Sequence, residues 1–171
     1  MQRHFTVTAF VSAEGATLLH WHAKNRMWLP PGGHIEPDED PLEAALRETM
    51  EETGIAVTVL PISEPFGFAS PRQLPAPVTI MVESIPASAS EPAHEHLDLI
   101  YFTRPQSEGR PEMDETDPSD QWRWVDAAAL RADAALPLSE GGLRDGDRRA
   151  RVSQDVRVLG LAAIERAAGG R

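Results

Sequence analysis

The sequence predicts an α+β fold, an α/β/α sandwich with a mixed β-sheet between helices, and three observations carry that reading. β-branched and apolar runs stand both before and after a strongly capped helix in the first third of the chain, and an amphipathic helix closes it. The chain has 171 residues, 41% of them hydrophobic, which is long enough for one well-buried domain and short for two. A single domain over 1–171 is therefore expected.

Phe5 to Ala13 alternates Phe5, Val7, Ala9 and Val11 with Thr6, Thr8 and Phe10 and reads as the opening strand. Glu14-Gly15 turns the chain, and Thr17 to His22 returns as the partner strand. Lys24, Asn25 and Arg26 fill the next loop, just before the glycines Gly32 and Gly33. Asp40 then supplies a helix N-cap, Pro41 the first helical position, Glu43 a capping-box acid and Gly54 a stop, so a helix is expected over Pro41 to Thr53. Ala56 to Leu60 reads as a strand. Pro61 to Pro77 reads as a loop, broken by Pro65, Pro71 and Pro75 and carrying Phe66-Gly67-Phe68.

Val78 to Ile85 and Leu97 to Thr103 suit neighbouring strands, separated by the polar segment Pro86 to Glu95. Arg104 to Gln121 is acidic, contains proline and is almost without apolar residues, so a mobile surface loop is expected there. Gln121 to Val125 reads as the last strand and Ala127 to Ala135 as a short helix. Arg151 to Ala168 reads as a terminal helix that turns Val152, Val156, Leu159, Ala163 and Ile164 to the core.

Chemistry concentrates between Gly32 and Ile55. Winding the helix at about 100° per residue puts Leu42, Leu46, Thr49, Met50 and Thr53 on a packing side, with Ala44, Arg47, Glu48, Glu51 and Glu52 opposite. Glu48–Glu51 and Glu48–Glu52 are like-charge pairs that cost roughly 0.2–0.5 kcal/mol each on an isolated helix. Three clustered carboxylates, with small Ala44 leaving room beside them, form a cage of hard oxygens suited to Mg²⁺ or Mn²⁺. An ordinary amphipathic helix with a solvated acidic face would show the same periodicity. The spacing decides between the two readings.

Gly33, five residues, Glu39, seven residues, and then Arg47-Glu48-Thr49-Met50-Glu51-Glu52-Thr53-Gly54-Ile55 resembles the signature of the Nudix hydrolases, with every fixed Gly, Glu and Arg present. Thr49 departs from it, standing where an aliphatic residue is usual, with a hydroxyl able to bond back one turn. Trp28-Leu29-Pro30-Pro31, Leu97 to Phe102 and Trp122 to Val125 also look like strands of that family, so the resemblance runs from about Thr6 to Ala135. It implies hydrolysis of a nucleoside diphosphate linked to another moiety, with Glu48, Glu51, Glu52 and the Gly32 carbonyl as metal ligands. Glu48, Glu51, Glu52 and Arg47 are then the catalytic residues, Arg47 with Glu39 orienting the acids. The implied cofactor is Mg²⁺ or Mn²⁺. The implied partner is a small-molecule nucleotide (a nucleotide sugar, an ADP-ribose-like compound or a nucleoside triphosphate), and a homodimer stays open. Such enzymes often draw a further carboxylate from a loop like Arg104 to Gln121, where Glu108, Glu112, Asp114, Glu115 and Asp117 are candidates. A nucleotide-sensing binding module on the same scaffold is the alternative.

Composition narrows the field. The net charge of −11 repels polyanions and anionic membranes, and the Arg144 to Arg151 run is interrupted by Asp145 and Asp147, so no nucleic-acid polymer and no membrane partner is expected. The absence of cysteine excludes disulfides, thiolate zinc sites and cysteine nucleophiles. Isopentenyl diphosphate isomerases share the fold of the family resembled and are expected to need a catalytic cysteine, so that branch is not expected here. No signal peptide and no run of eighteen apolar residues is present, so a cytoplasmic protein is the default. His20, His22, His34, His94 and His96 raise a zinc reading. It is set aside because alternate strand histidines are commonly just polar and because the carboxylate cage prefers hard ions. Pro71 lies where ADP-ribose hydrolases tend to carry a proline, and Tyr101 lies far from where dinucleoside polyphosphate hydrolases tend to carry a tyrosine. Neither fixes the substrate. Lys24 and Arg26 could steer its phosphates.

Overall fold

The parallel pairing of two long strands is the spine of the molecule, which a computed structural model describes over residues 2–88, 91–113, 122–138 and 148–169. In chain order the elements are β1 (Gln2–Ala13), β2 (Ala16–His22), β3 (Met27–Leu29), β4 (Gly32–His34), α1 (Pro41–Thr53), β5 (Val57–Val59), β6 (Thr79–Ile85) and β7 (His94–Pro105). They continue as β8 (Trp122–Asp126), α2 (Ala127–Arg131), β9 (Leu136–Pro137), β10 (Arg149–Ala150) and α3 (Gln154–Gly169). β1 and β7 run parallel from Gln2↔His94 to Val11↔Thr103. Every other pairing is antiparallel: β4 on Thr6 to Thr8 of β1, β2 on Ser12 and Ala13, β3 and β8 on β2, and β6 then β5 along β7.

Side chains alternate across a strand, so this spine offers two faces. Val7 and Tyr101 meet Ala44 and Ala45 of α1 together with Val59. Phe10, Ile100 and Phe102 meet Val156, Ala163 and Ile164 on the other side. Helices cover both faces of a mixed sheet, and the sandwich is the expected one. Burying a side chain such as Leu19 or Phe10 contributes roughly 1.5–3 kcal/mol. Gly160 lets α3 lie close: a Cβ there would stand 3.2 Å from Thr17 Cγ2 and 3.3 Å from Leu130 Cδ1.

Strand ends differ from expectation where pairing overrides composition. β1 begins at Gln2 and β7 at His94, because two polar ends pair with each other along the parallel register. Gly32 to His34, glycine-rich as it is, forms a strand held against Thr6 to Thr8. α2 stops at Arg131 instead of Ala135. Asp133 there adopts left-handed backbone (φ 50°), and its carboxylate binds Arg151 at 2.9 Å and Arg157 at 3.3 Å. α3 starts at Gln154, after Val152, which is buried as expected.

The segment after β7 is pinned rather than mobile as far as Met113. Gln106 Nε2 donates to the Val57 carbonyl at 3.1 Å, Arg110 Nε to that of Ala13 at 3.3 Å, and Arg110 Nη2 meets Asp126 at 2.9 Å. Trp124 Nε1 donates to Pro111 at 3.0 Å. Glu108 and Glu112 are exposed on this segment. Asp114, Glu115 and Asp117 lie outside the described residues, as does 144–147 of the arginine run. No helix among the described residues is long and apolar enough to cross a membrane.

Candidate active site

α1 is built as its sequence prescribes. Asp40 Oδ1 accepts from the N–H groups of Leu42 (2.9 Å) and Glu43 (3.0 Å), while the Glu43 carboxylate accepts from Asp40 N–H at 2.9 Å. Such a cap stabilises by about 1 kcal/mol. Gly54 closes the helix in left-handed backbone (φ 68°) and donates to Met50. Thr49 bonds back to the Ala45 carbonyl at 2.7 Å, so its hydroxyl is satisfied inside the core.

The face assignment needs correcting at two positions. Ala44, expected beside the acids, is fully buried against the sheet, and Met50, expected to pack, is 45% exposed. Two adjacent alanines let the helix lie tightly on Val7, Val59 and Tyr101, so the buried stripe follows the small residues and turns away from Met50. Arg47, Glu48, Glu51 and Glu52 remain outside the core.

Arg47 gathers this face. Its guanidinium holds Glu39 by two prongs, Nε to Oε2 at 3.0 Å and Nη2 to Oε1 at 2.5 Å. Nη1 reaches Glu48 Oε1 at 2.9 Å and Glu51 Oε2 at 3.2 Å, and Nη2 also donates to the His34 carbonyl at 3.1 Å. The Arg47 hydrogen bond holds the Glu39 carboxyl below the usual carboxylate range, and Glu39 together with Glu48 holds Arg47 charged. One side chain thus ties β4, the turn before α1 and the acids of α1 together.

The two glycines of β4 form the opposing wall. A Cβ on Gly33 would stand 2.3 Å from Glu48 Oε1, so the absence of a side chain there is what lets Glu48 lie over the strand. Gly32 N–H donates to Glu52 Oε2 at 3.1 Å. Local burial raises the Glu52 pKa, the Gly32 hydrogen bond opposes that rise, and the negative charges of Glu48 and Glu51 add to it. The hard oxygens of Glu48, Glu51 and Glu52, destabilised by one another, fit a Mg²⁺- or Mn²⁺-type cation by donor chemistry. Arg47 holds Glu48 and Glu51 through one nitrogen, while the Gly32 amide holds Glu52. Among the described residues, the ligand-type atoms that meet in threes within 4.8 Å belong instead to His4, His34 and His96 and to His4, Glu91 and His94.

On the α3 side of the sheet opens a cavity of about 920 Å³, with Thr8, Asp98, Glu83 and His34 in its wall and Lys24 and Asn25 at its rim loop. Asp98, 4% exposed, accepts from Thr6 Oγ1 at 3.0 Å and Thr8 Oγ1 at 2.7 Å. Burial raises its pKa against those two hydrogen bonds. Lys24 lines this cavity, whereas Arg26 forms the turn itself (φ 54°). Sequence reasoning passed over Asp98 and Thr8. An acid inside the apolar run Leu97-Asp98-Leu99 was the available signal.

The histidines divide into two groups. His20 stacks on Trp122 (centroids 4.3 Å apart, planes at 28°), and its pKa is pushed down to about 4, by burial first and then by His22. Trp122 in turn donates Nε1–H to the Glu52 carbonyl at 2.9 Å. His34, His94 and His96 gather elsewhere, around His4, a residue the sequence reading did not single out.

A family model described as NUDIX domain matches residues 2–144. The asymmetrical bis(5'-nucleosyl)-tetraphosphatase of Mus musculus is 59% identical over 39 residues, 23% of this chain and 26% of that protein. Phosphatase NudJ of Escherichia coli O1:K1 / APEC is 47% identical over 55 residues, 31% of this chain and 36% of that protein. The chain thus aligns with well under half the length of these curated relatives. A solved NUDIX-family hydrolase from Clostridium perfringens superposes with a TM-score of 0.65 at 26% identity, covering 96% of this chain and 98% of that one.

Proposed function

This chain belongs to the NUDIX family, and from that premise we propose that it is a divalent-cation-dependent hydrolase cleaving the pyrophosphate linkage of a small nucleotide. The observation that carries the reading is the clasp of Arg47 on Glu39, Glu48 and Glu51, facing a Gly32-Gly33 strand whose first amide holds Glu52. A pyrophosphate resists water because its own charge repels the nucleophile. Glu48, Glu51, Glu52 and the Gly32 carbonyl would hold Mg²⁺ or Mn²⁺, which when bound neutralises phosphate charge and acidifies a water. Arg47 and Glu39 fix the rotamers of the acids. One of Glu48, Glu51 and Glu52, or a carboxylate from the Arg104 to Gln121 stretch, accepts the proton of the attacking water.

The substrate's nucleoside or its other moiety enters the cavity of about 920 Å³, where Asp98 and Thr8 offer polar contacts and Lys24 attracts phosphate. Tyr101 is 2% exposed and packs under α1, so it does not stack on a substrate base. The named activity of the mouse relative places dinucleoside polyphosphates on the list to be tried, beside nucleotide sugars, ADP-ribose and nucleoside triphosphates. Phosphate release over that panel with Mg²⁺ tests the proposal. Turnover of one class supports it. Tight binding of a nucleotide with no turnover of any class would make the protein a nucleotide-sensing module instead.

A further inference from the structure

We infer that His4, His34, His94, His96 and Glu91 form a second cation site, distinct from the α1 carboxylates and selective for a borderline transition ion of the Zn²⁺ class. The sheet register assembles it. The parallel pairing sets His4 beside His96, with His94 two residues earlier on the same face, and the antiparallel pairing sets His34 opposite Thr6, again on that face. Ring centroids lie 4.5 Å apart for His4–His94, 5.0 Å for His94–His96 and His34–His96, and 5.4 Å for His4–His34.

Three details separate this group from a polar cluster on a strand. His94 Nδ1 lies 2.9 Å from the Pro92 carbonyl, which can only accept, so Nδ1 donates there and Nε2 is the nitrogen of the neutral ring that offers a lone pair. That Nε2 is hydrogen-bonded to His96 Nε2 at 3.1 Å, a separation close to the roughly 3.3 Å between two nitrogens on one tetrahedral zinc, so an ion can replace the shared proton. His4 Nδ1 is buried with no hydrogen-bond partner, and Glu91 Oε1 stands 3.9 Å from it and 4.0 Å from His94 Nε2. A buried ring nitrogen left unpaired among other imidazoles is costly, and a shared cation removes that cost.

Imidazole donors favour Zn²⁺, Co²⁺ or Ni²⁺ over Mg²⁺, whereas the glutamates of α1 have the reverse preference, so the two sites take different ions. Burial first, then the neighbouring His34, His94 and His4, lowers the His96 pKa, which favours its neutral, ligating form. An ion here would join β1, β4 and β7 to the loop carrying Glu91. It would also sit beside the active-site wall, since the His34 carbonyl receives Arg47.

The test is Zn²⁺ binding to the metal-stripped protein, measured by competition with a chromophoric chelator. One tight Zn²⁺ per chain is expected, retained in Glu51→Gln/Glu52→Gln and weakened on the order of 10²-fold or more in His94→Ala and His96→Ala. Absence of tight binding to the unmodified protein, retention in both histidine variants, or loss in the glutamate variant would overturn the assignment. Imidazole ¹⁵N spectra of the unmodified protein give the answer without relying on variants that could misfold. Zn²⁺ must shift the resonances of His4, His34, His94 and His96 and spare those of His20 and His22, and the opposite pattern refutes the site.

Discussion

Arg47 and Glu39 meet as a two-pronged pair, at 3.0 Å and 2.5 Å, and the same guanidinium reaches two acids of its own helix. A lysine at this position would keep the charge but could not span Glu39, Glu48 and the His34 carbonyl at once. Arg47→Lys is expected to lower metal-dependent turnover by roughly 10-fold or more, as for lost partners of metal ligands, while leaving the melting temperature nearly unchanged. Steady-state kinetics with a Mg²⁺ titration measures this. Unchanged kcat and metal affinity would leave Arg47 as a surface charge balance.

The adjacent glycines should fail in different ways. A Cβ on Gly32 would meet the Val7 carbonyl at 2.3 Å and Thr8 Cα at 3.0 Å, both backbone, whereas the nearest atoms to a Cβ on Gly33 are those of the Glu48 carboxylate, from 2.3 Å. Gly32→Ala must then strain the β1–β4 pairing and destabilise by about 1–3 kcal/mol. Gly33→Ala displaces a movable side chain, so it should keep the fold and lose on the order of 10²-fold in kcat through a misplaced Glu48. Denaturant melts paired with kinetics separate the two, and identical behaviour of both variants would contradict the geometry.

Glu51→Gln and Glu52→Gln should each lower kcat on the order of 10²-fold or more with the fold intact, because an amide keeps size but loses ligand charge. Glu43→Gln is the control. Glu43 serves the helix cap, accepting from Asp40 N–H at 2.9 Å, and glutamine fills that role in capping boxes. Equal loss in all three would mean that the acidic face has been misassigned.

His20 sets a pH dependence of stability. Its folded pKa is about 4 against an ordinary 6.5, so between those values the unfolded chain binds the proton and the folded one does not. Stability from this residue is complete above about pH 6.5 and is lost as pH falls toward 4, in all about 3 kcal/mol. His20→Phe retains a ring against Trp122 and should flatten the decline over that window in chemical denaturation. A decline of the same steepness in the variant would assign it to other groups.

Much of this could be read from residues because it is local. The cap of Asp40 and Glu43, the stop at Gly54 and the spacing from Gly33 through Glu39 to Glu52 specify a helix and its acids without reference to the rest of the chain. What could not be read depends on partners distant in sequence. The strand character of Gly32 to His34 exists only against Thr6 to Thr8, and the burial of Ala44 only against Val7 and Tyr101. His4 lies 92 residues from its neighbour His96, a register that no local pattern announces. Arg110, similarly, turns an acidic, proline-containing stretch into an anchored one by reaching Ala13.

The central claim is that three carboxylates of α1 act through a hard divalent cation on a pyrophosphate. The most direct measurement is phosphate release from the best substrate of the nucleotide panel after exhaustive chelation, followed by addition of Mg²⁺ alone. Hydrolysis should vanish on chelation and return with Mg²⁺ in the unmodified protein but not in Glu52→Gln. Undiminished hydrolysis in the chelated protein, or full recovery in Glu52→Gln, would contradict the account.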